Sequence, residues 1–266
     1  MEKVISMFAC VALFFATANS IVLADTINIA VGDFCPYQCD PKKEDGKIGF
    51  MSEITESIFQ NTGHTIRFTV LPFKRAVSRT EEGVYDAVVC NVGHSKHLLF
   101  SKERIGILQQ TFFVKRGTPW MYEGVKSLES VVVASVIGYD LSAFSPEYEA
   151  YLKKNRHTNA VQYISGENFT LRNAKKILAG RVTTYNEDAG LFNYATMKAG
   201  IDEEFTTAGI LGENSLYMGF SPDNPNSPRY AEIFDRGIKT LRESGELEYI
   251  LASYGAEDWE KDILEE

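Results

Sequence analysis

The sequence predicts an α/β protein assembled from two β-α-β units, and three observations carry that prediction. Runs of strand-like residues recur at 26–31, 65–70 and 85–90, and again at 131–136, 160–164 and 181–185. Between them lie segments with apolar residues at helical spacing, and glycine or proline marks their ends. No period of 20–50 residues repeats along the chain, which excludes a solenoid. A strand–helix–strand succession sets parallel strands side by side, with helices on both faces of the sheet.

Each element follows from its own residues. Segment 26–31 alternates apolar and polar side chains, as a strand does. Ile54, Ile58 and Phe59 share one face of a helix over 51–62 that stops at Gly63. Ile66, Phe68 and Val70 line one face of a second strand, and Pro72-Phe73 opens a helix that runs through Ala76 and Val77 to Gly83. Ala87-Val88-Val89 makes the third strand a buried one. The second unit starts with a strand ending before Gly138 and continues with a helix over 145–155 entered at Pro146. A strand, a helix over 171–179 closed by Gly180, a further strand and a helix over 191–199 complete it. Strands at 109–114 and 216–220 lie between and after the units. Segment 228–254 reads as a long amphipathic helix, Gly245, and a second short helix.

The N-terminus reads as a signal peptide. Lys3 precedes an apolar core over 4–15, and Val22-Leu23-Ala24 offers a cleavage site before Asp25, with Ala16-Thr17-Ala18 as a second. An apolar run of about 12 residues is short for a bilayer span of about 20. Removing Glu2 and Lys3 with the leader leaves the net charge of −9 unchanged. That balance, without basic clusters, speaks against a nucleic-acid surface. A mature chain of about 240 residues suits one large domain or two smaller ones.

Cys35, Cys39 and Cys90 remain after cleavage. In an oxidising compartment two close cysteines default to a disulfide, although a reduced pair stays open at this point. Cys90 follows an apolar run, which suits a buried free thiol. The four histidines form no zinc motif; His94 and His97, three apart, are a chelating pair or a solvated one. GxGxxG, GxxxxGK and GxSxG are all missing, so phosphate-loop and nucleophile-elbow chemistry lack their residues. Ligands of open α/β sheets bind at the carboxyl ends of strands, here 32–37, 90–94, 138–140 and 187–188.

Taken in order, "INIAVGDFCPYQ", "DGKIGFMSEITESIFQNTG", "PFKRAVSRTEEGVYDAVV", "LLFSKERIG", "VVVASVIGYD", "ILAGRVTTYNEDAG" and "IFDRGIKTLRESGELEYILASYG" span nearly the whole mature chain. In this order they resemble the extracellular solute-binding proteins of family 3, the polar amino acid receptors of ABC importers. The resemblance implies a two-lobed type II periplasmic-binding fold, with a mixed sheet in each lobe, helices on both faces and a two-strand hinge. Lobe one would be 25–110 with 216–266, and lobe two 111–215, behind a signal peptide at 1–24.

The resemblance also implies a ligand site. Phe34 and Tyr37 stand where the family places aromatics over the solute, and a Cys35–Cys39 disulfide would staple that lip. Phe73 and Arg75 belong to the "PFKRA" segment, where Arg75 is also an ordinary surface residue of a helix's first turn. The loop "NVGHSKHLLFS" brings Asn91 and His94, or Lys96, near the family's carboxylate-clamping arginine, which this chain lacks. Neither His94 nor Lys96 reproduces a planar two-pronged fork. Tyr139 and Asp140 replace small hydroxyl residues of the second lobe. Asp188 matches the family's ammonium-binding acid, and equally suits a helix N-cap.

The implied function is capture of a small polar solute, amino acid or amine-like, by a periplasmic monomer without cofactor, metal or chemistry of its own. Its partner would be the membrane permease of an ABC importer or, as an alternative, a membrane sensor protein. The rival of a different class is an enzyme. Cyclohexadienyl dehydratases share this fold, and Glu187, Asp188 or Asp140 would then act as acid and base.

Overall fold

The computed structural model describes residues 25–90 and 92–260; the expected leader at 1–24 and the candidate Asn91 lie outside them. The strands are β1 Thr26–Val31, β2 Thr65–Val70, β3 Ala87–Cys90 and β4 Leu99–Lys115, then β5 Val133–Val136, β6 Val161–Ile164, β7 Thr184–Asp188 and β8 Phe205–Phe220. The helices are α1 Phe50–Gln60, α2 Phe73–Glu81, α3 Pro146–Lys154, α4 Phe169–Leu178, α5 Ala189–Lys198, α6 Ser227–Ser244 and α7 Glu246–Ala252. None of the described helices is long and apolar enough to cross a membrane.

The strands lie in the order β2-β1-β3-β8-β4-β7-β5-β6. β1 is parallel to β2 and β3, and β5 is parallel to β6 and β7. The long strands β4 and β8 run antiparallel between these two parallel triplets. This is the two-lobed mixed α/β architecture expected of the chain, with β4 and β8 as the crossing pair. Their register is irregular between Phe100 and Gly106 and again between Gln110 and Phe113, so the pair is kinked on both sides of a regular central stretch.

Helices cover both faces because successive strand residues point opposite ways. In β3, Ala87 and Val89 join the cluster under α1 and α6, while Val88 and Cys90 meet Ala76 and Val77 of α2. In β4, Phe112 packs on Tyr148 and Leu152 of α3, while Phe113 stacks on Phe192 of α5 at 3.8 Å between ring centres.

Three elements differ from the sequence reading. β4 and β8 extend well beyond 109–114 and 216–220, through Lys102-Glu103-Arg104 and through Gly209, Gly212 and Glu213. Each supplies the other's backbone partners, so extended structure persists where apolar alternation fails. β7 occupies Thr184–Asp188 rather than 181–185, and its five residues, all polar-bearing, are all buried. Hydrophobic periodicity is blind to such a strand.

Candidate functional site

The site begins where β1 ends. The Gly32 amide donates to Gln38 Oε1 at 3.0 Å. Phe34 and Gln38 exchange backbone hydrogen bonds at 2.7 and 3.0 Å around a Cys35–Cys39 disulfide and a cis Cys35–Pro36 bond. The amides of Phe50 and Met51 donate to the Pro36 and Tyr37 carbonyls, which seats this lip on the start of α1. Gly49 is needed at that junction: its φ is +89°, and a Cβ would lie 2.6 Å from the Tyr37 carbonyl oxygen.

Tyr37 is the pivot of the lip. Its ring stacks on Phe34 at 5.3 Å and tilts against Phe50 at 5.0 Å. Its hydroxyl donates to Asp188 Oδ1 at 2.6 Å, linking residues 151 apart in sequence, and both side chains are buried. A Cβ on Gly190 would lie 2.6 Å from that hydroxyl, so the first turn of α5 admits the ring only because residue 190 is glycine. Further out, Glu44 accepts from the Tyr194 hydroxyl at 2.9 Å and from Lys198 Nζ at 2.7 Å, which fastens the lip along α5.

A cavity of about 650 Å³ opens beside the lip, at the carboxyl ends of β1 and β3. Leu108 and Leu216 of the crossing strands line it, together with Met51, Phe34 and Phe73. Phe34, Phe73 and Val70 all line this cavity, and all are exposed for large apolar side chains, at 43, 39 and 38 %. His94 meets the Phe73 ring edge-on at 5.0 Å. Asp33, Asp40 and Lys43 also line it, with Lys43 Nζ donating to Asp33 Oδ2 at 2.5 Å. A second cavity of about 330 Å³, lined by Gln109, Asn193, Glu213 and Asp258, shares Tyr37 with the first. The Tyr37 ring therefore contributes to the walls of both.

The structure thus brings Phe34, Tyr37, Phe73 and His94 to one cavity, and does not bring Arg75, Tyr139, Asp140 or Asp188 to its lining. Arg75 is an exposed residue in the first turn of α2. Tyr139 turns to its own lobe, edge-on to Phe169 at 5.5 Å. Burial and the nearby Glu187 and Asp188 push its hydroxyl pKa well up. Asp140 is exposed and accepts from the Ser142 amide at 3.0 Å; the bonds from Ser142 hold its carboxyl below the usual range.

Asp188 caps α5, accepting from the Leu191 amide at 3.1 Å on Oδ1 and from the Gln109 amide at 3.0 Å on Oδ2. Burial pushes its carboxyl up to about 6 despite these donors. Glu187 next to it is pushed up to about 7, again by burial. Its oxygens accept from the hydroxyls of Tyr185 and Thr170 and from the Asp188 amide, and no part of it reaches solvent. It has the proton affinity of an acid–base group without the access one needs.

Sequence reading missed Asp33, Lys43 and the Glu44 contacts, because exposed loop charges look alike before folding. Gly190 did carry a signal. A glycine in a helix's first turn costs up to about 1 kcal/mol against alanine, so close approach by another group is its physical reason. Among the described residues, no cluster of three or more His, Cys, Asp and Glu side chains is placed to hold a metal ion.

Comparison with solved structures returns the same architecture. A polar amino acid ABC uptake transporter substrate-binding protein from Streptococcus thermophilus superposes with a TM-score of 0.67 at 18% identity, covering 86% of this chain and 85% of that one. The second substrate-binding domain of Lactococcus lactis GlnP, in its open conformation, gives 0.65 at 17% identity, with 87% and 96% covered. A histidine kinase sensor domain similar to periplasmic binding proteins gives 0.53 at 17% identity, with 85% and 95% covered. No curated protein matches the sequence. The sequence model of one family spans residues 27–257, and with it the chain belongs to the bacterial extracellular solute-binding proteins, family 3.

Proposed function

We propose that this protein is a periplasmic receptor that captures a small polar solute, an amino acid or an amine-like molecule, and delivers it to the permease of an ABC importer. The observation that carries this reading is the lip cavity, at the strand ends where β4 and β8 cross. Its exposed Phe34, Phe73 and Val70 are apolar surface that a solute and a closing second lobe would cover. We assign solute contact to Phe34, Phe73 and His94. The lobes are 25–110 with 216–266, and 111–215, and they act in a single chain. Binding favours a closed arrangement about the crossing strands.

A thermal-shift screen of amino acids, polyamines and small amines tests capture, and small-angle scattering tests closure. A stabilising solute should also reduce the radius of gyration. A profile unchanged at saturation would refute the clamp. Catalytic turnover of prephenate or arogenate would refute binding without chemistry.

Similarity to a histidine kinase sensor domain supports a second reading, in which the liganded protein signals to a membrane sensor. Uptake of labelled solute by cells with and without the gene separates the two. Transport requires that deletion abolish uptake.

A further inference from the structure

An ionised carboxylate has about four lone-pair sites for donors. Asp188 engages three of them from within the chain, with the Tyr37 hydroxyl at 2.6 Å, the Leu191 amide at 3.1 Å and the Gln109 amide at 3.0 Å, and its side chain is buried. The Tyr37 hydroxyl is the one side-chain donor among them, and its place is a built one. Gly190 leaves room for the ring, Gly49 allows the backbone beneath it, and the Phe34 and Phe50 rings hold it on two sides. A solute ammonium could reach Asp188 only by expelling a buried tyrosine.

The cavity itself is equally unsuited to a carboxylate. Among its described lining residues, Lys43 is the one lysine or arginine, and Asp33 already holds it. Asp40 lines the same mouth, and Glu167 lies within electrostatic reach of Lys43. Two lining carboxylates, Asp33 and Asp40, therefore accompany one ammonium. Apart from Gln38, His94 and the Tyr37 hydroxyl the remaining walls are apolar, and Phe34 and Phe73 offer aromatic rings to a cation.

We propose that Tyr37 is a built-in occupant of Asp188, and that the solute is a small amine with an apolar body and no carboxylate, seated in the lip cavity. The inference rests on the receptor reading above and narrows its solute class. The amine's ammonium group faces Asp33 and Asp40, and its body lies among Phe34, Phe73, Leu108 and Leu216. An α-amino acid would bring its carboxylate to the acidic mouth, where Asp33 already holds Lys43 and only the imidazole of His94 is left to meet it.

Calorimetry on the mature chain tests this with matched pairs: phenethylamine against phenylalanine, isoamylamine against leucine, and tryptamine against tryptophan. In at least one pair the amine should bind about tenfold or more tighter than its parent amino acid. Asp33→Asn and Phe73→Ala should each weaken that amine about tenfold, while Asp188→Asn should leave it within about threefold. Should Asp188→Asn fail to fold, the 13C resonance of the Asp188 carboxyl in the unaltered protein answers instead, and saturating amine should not move it.

Equal or tighter binding of the amino acid in every pair overturns the inference, as does failure of every pair to bind. An Asp188→Asn loss above about tenfold, or a shifted Asp188 resonance, overturns it too. Amino acids that bind where amines do not would leave the receptor reading standing and this one fallen. A protein that no solute of the wider screen stabilises would fail the receptor reading itself.

Discussion

Replacing Glu187 by Gln removes a charge that the fold holds away from water while keeping its shape and hydrogen-bond acceptor. The carboxyl is pushed from the ordinary 4.5 up to about 7 by burial, against the opposing donors Tyr185, Thr170 and the Asp188 amide. Between those two values the folded protein holds a proton that the unfolded chain has released. Stability from this group is therefore complete below about pH 4.5 and is lost as pH rises through about 7. With each tenfold change in proton affinity worth about 1.4 kcal/mol, the full loss is about 3 kcal/mol. Asp188 is displaced in the same direction, so it adds to the slope and keeps its own part in the variant. Urea unfolding at pH 5 and pH 8 gives the measurement. Glu187→Gln should match the parent at pH 5 and exceed it by up to about 3 kcal/mol at pH 8. A variant no more stable than the parent at pH 8, with an unchanged pH slope, would refute the buried-charge argument.

Other outcomes follow from the same geometry. Tyr37→Phe deletes a hydrogen bond to a buried carboxylate and should lower stability by about 1.5–3 kcal/mol in urea; a change under about 0.5 kcal/mol would mean that the bond is not made in solution. Gly190→Ala sets a methyl group 2.6 Å from the Tyr37 hydroxyl and should cost about 1–3 kcal/mol by overpacking, read as a lower melting temperature. Cys90 is buried, and its thiol is pushed up to about 12 by burial and by Glu81. A disulfide-exchange reagent at pH 8 should leave it untouched until the protein is unfolded, and rapid native labelling would contradict its placement. Reducing Cys35–Cys39 opens a loop of separation 4, so the cost should fall below the roughly 3 kcal/mol of a 15-residue loop.

Much of the fold was legible because its signals are local. Ile54, Ile58 and Phe59 announce α1 by spacing alone, and Gly245 separates α6 from α7 where the sequence places the break. The long strands were read short because Lys102-Glu103-Arg104 in β4 is extended by its partner β8, a fact of pairing rather than of sequence. β7 slipped by three residues because Asn186, Glu187 and Asp188 are polar and yet buried. Phe34 and His94 fall in segments that the sequence places at strand ends, and Phe73 came from the resemblance of its segment; all three line the cavity. The satisfaction of Asp188 by Tyr37 was not legible, since it depends on a contact across 151 residues that only the folded chain makes.

The crossing of β4 and β8 also bears on the order in which the chain can fold. Ile27 and Ile29, near the start of the described chain, pack in one cluster with Phe234, Ile238, Leu251 and Tyr254. The Tyr230 hydroxyl donates to Asp25 across 205 residues, and the Gly49 amide donates to the Tyr254 hydroxyl across the same distance. By contrast, the clusters on either face of the other half draw on residues 112–211 alone. That half is complete in one uninterrupted stretch, so its loops close cheaply and it can condense as soon as it has been made. Strand β1 has no such option: Ile27 and Ile29 lack their partners Phe234, Ile238, Leu251 and Tyr254 until α6 and α7 have been made, so this strand waits longer for its full cover than any in the other half.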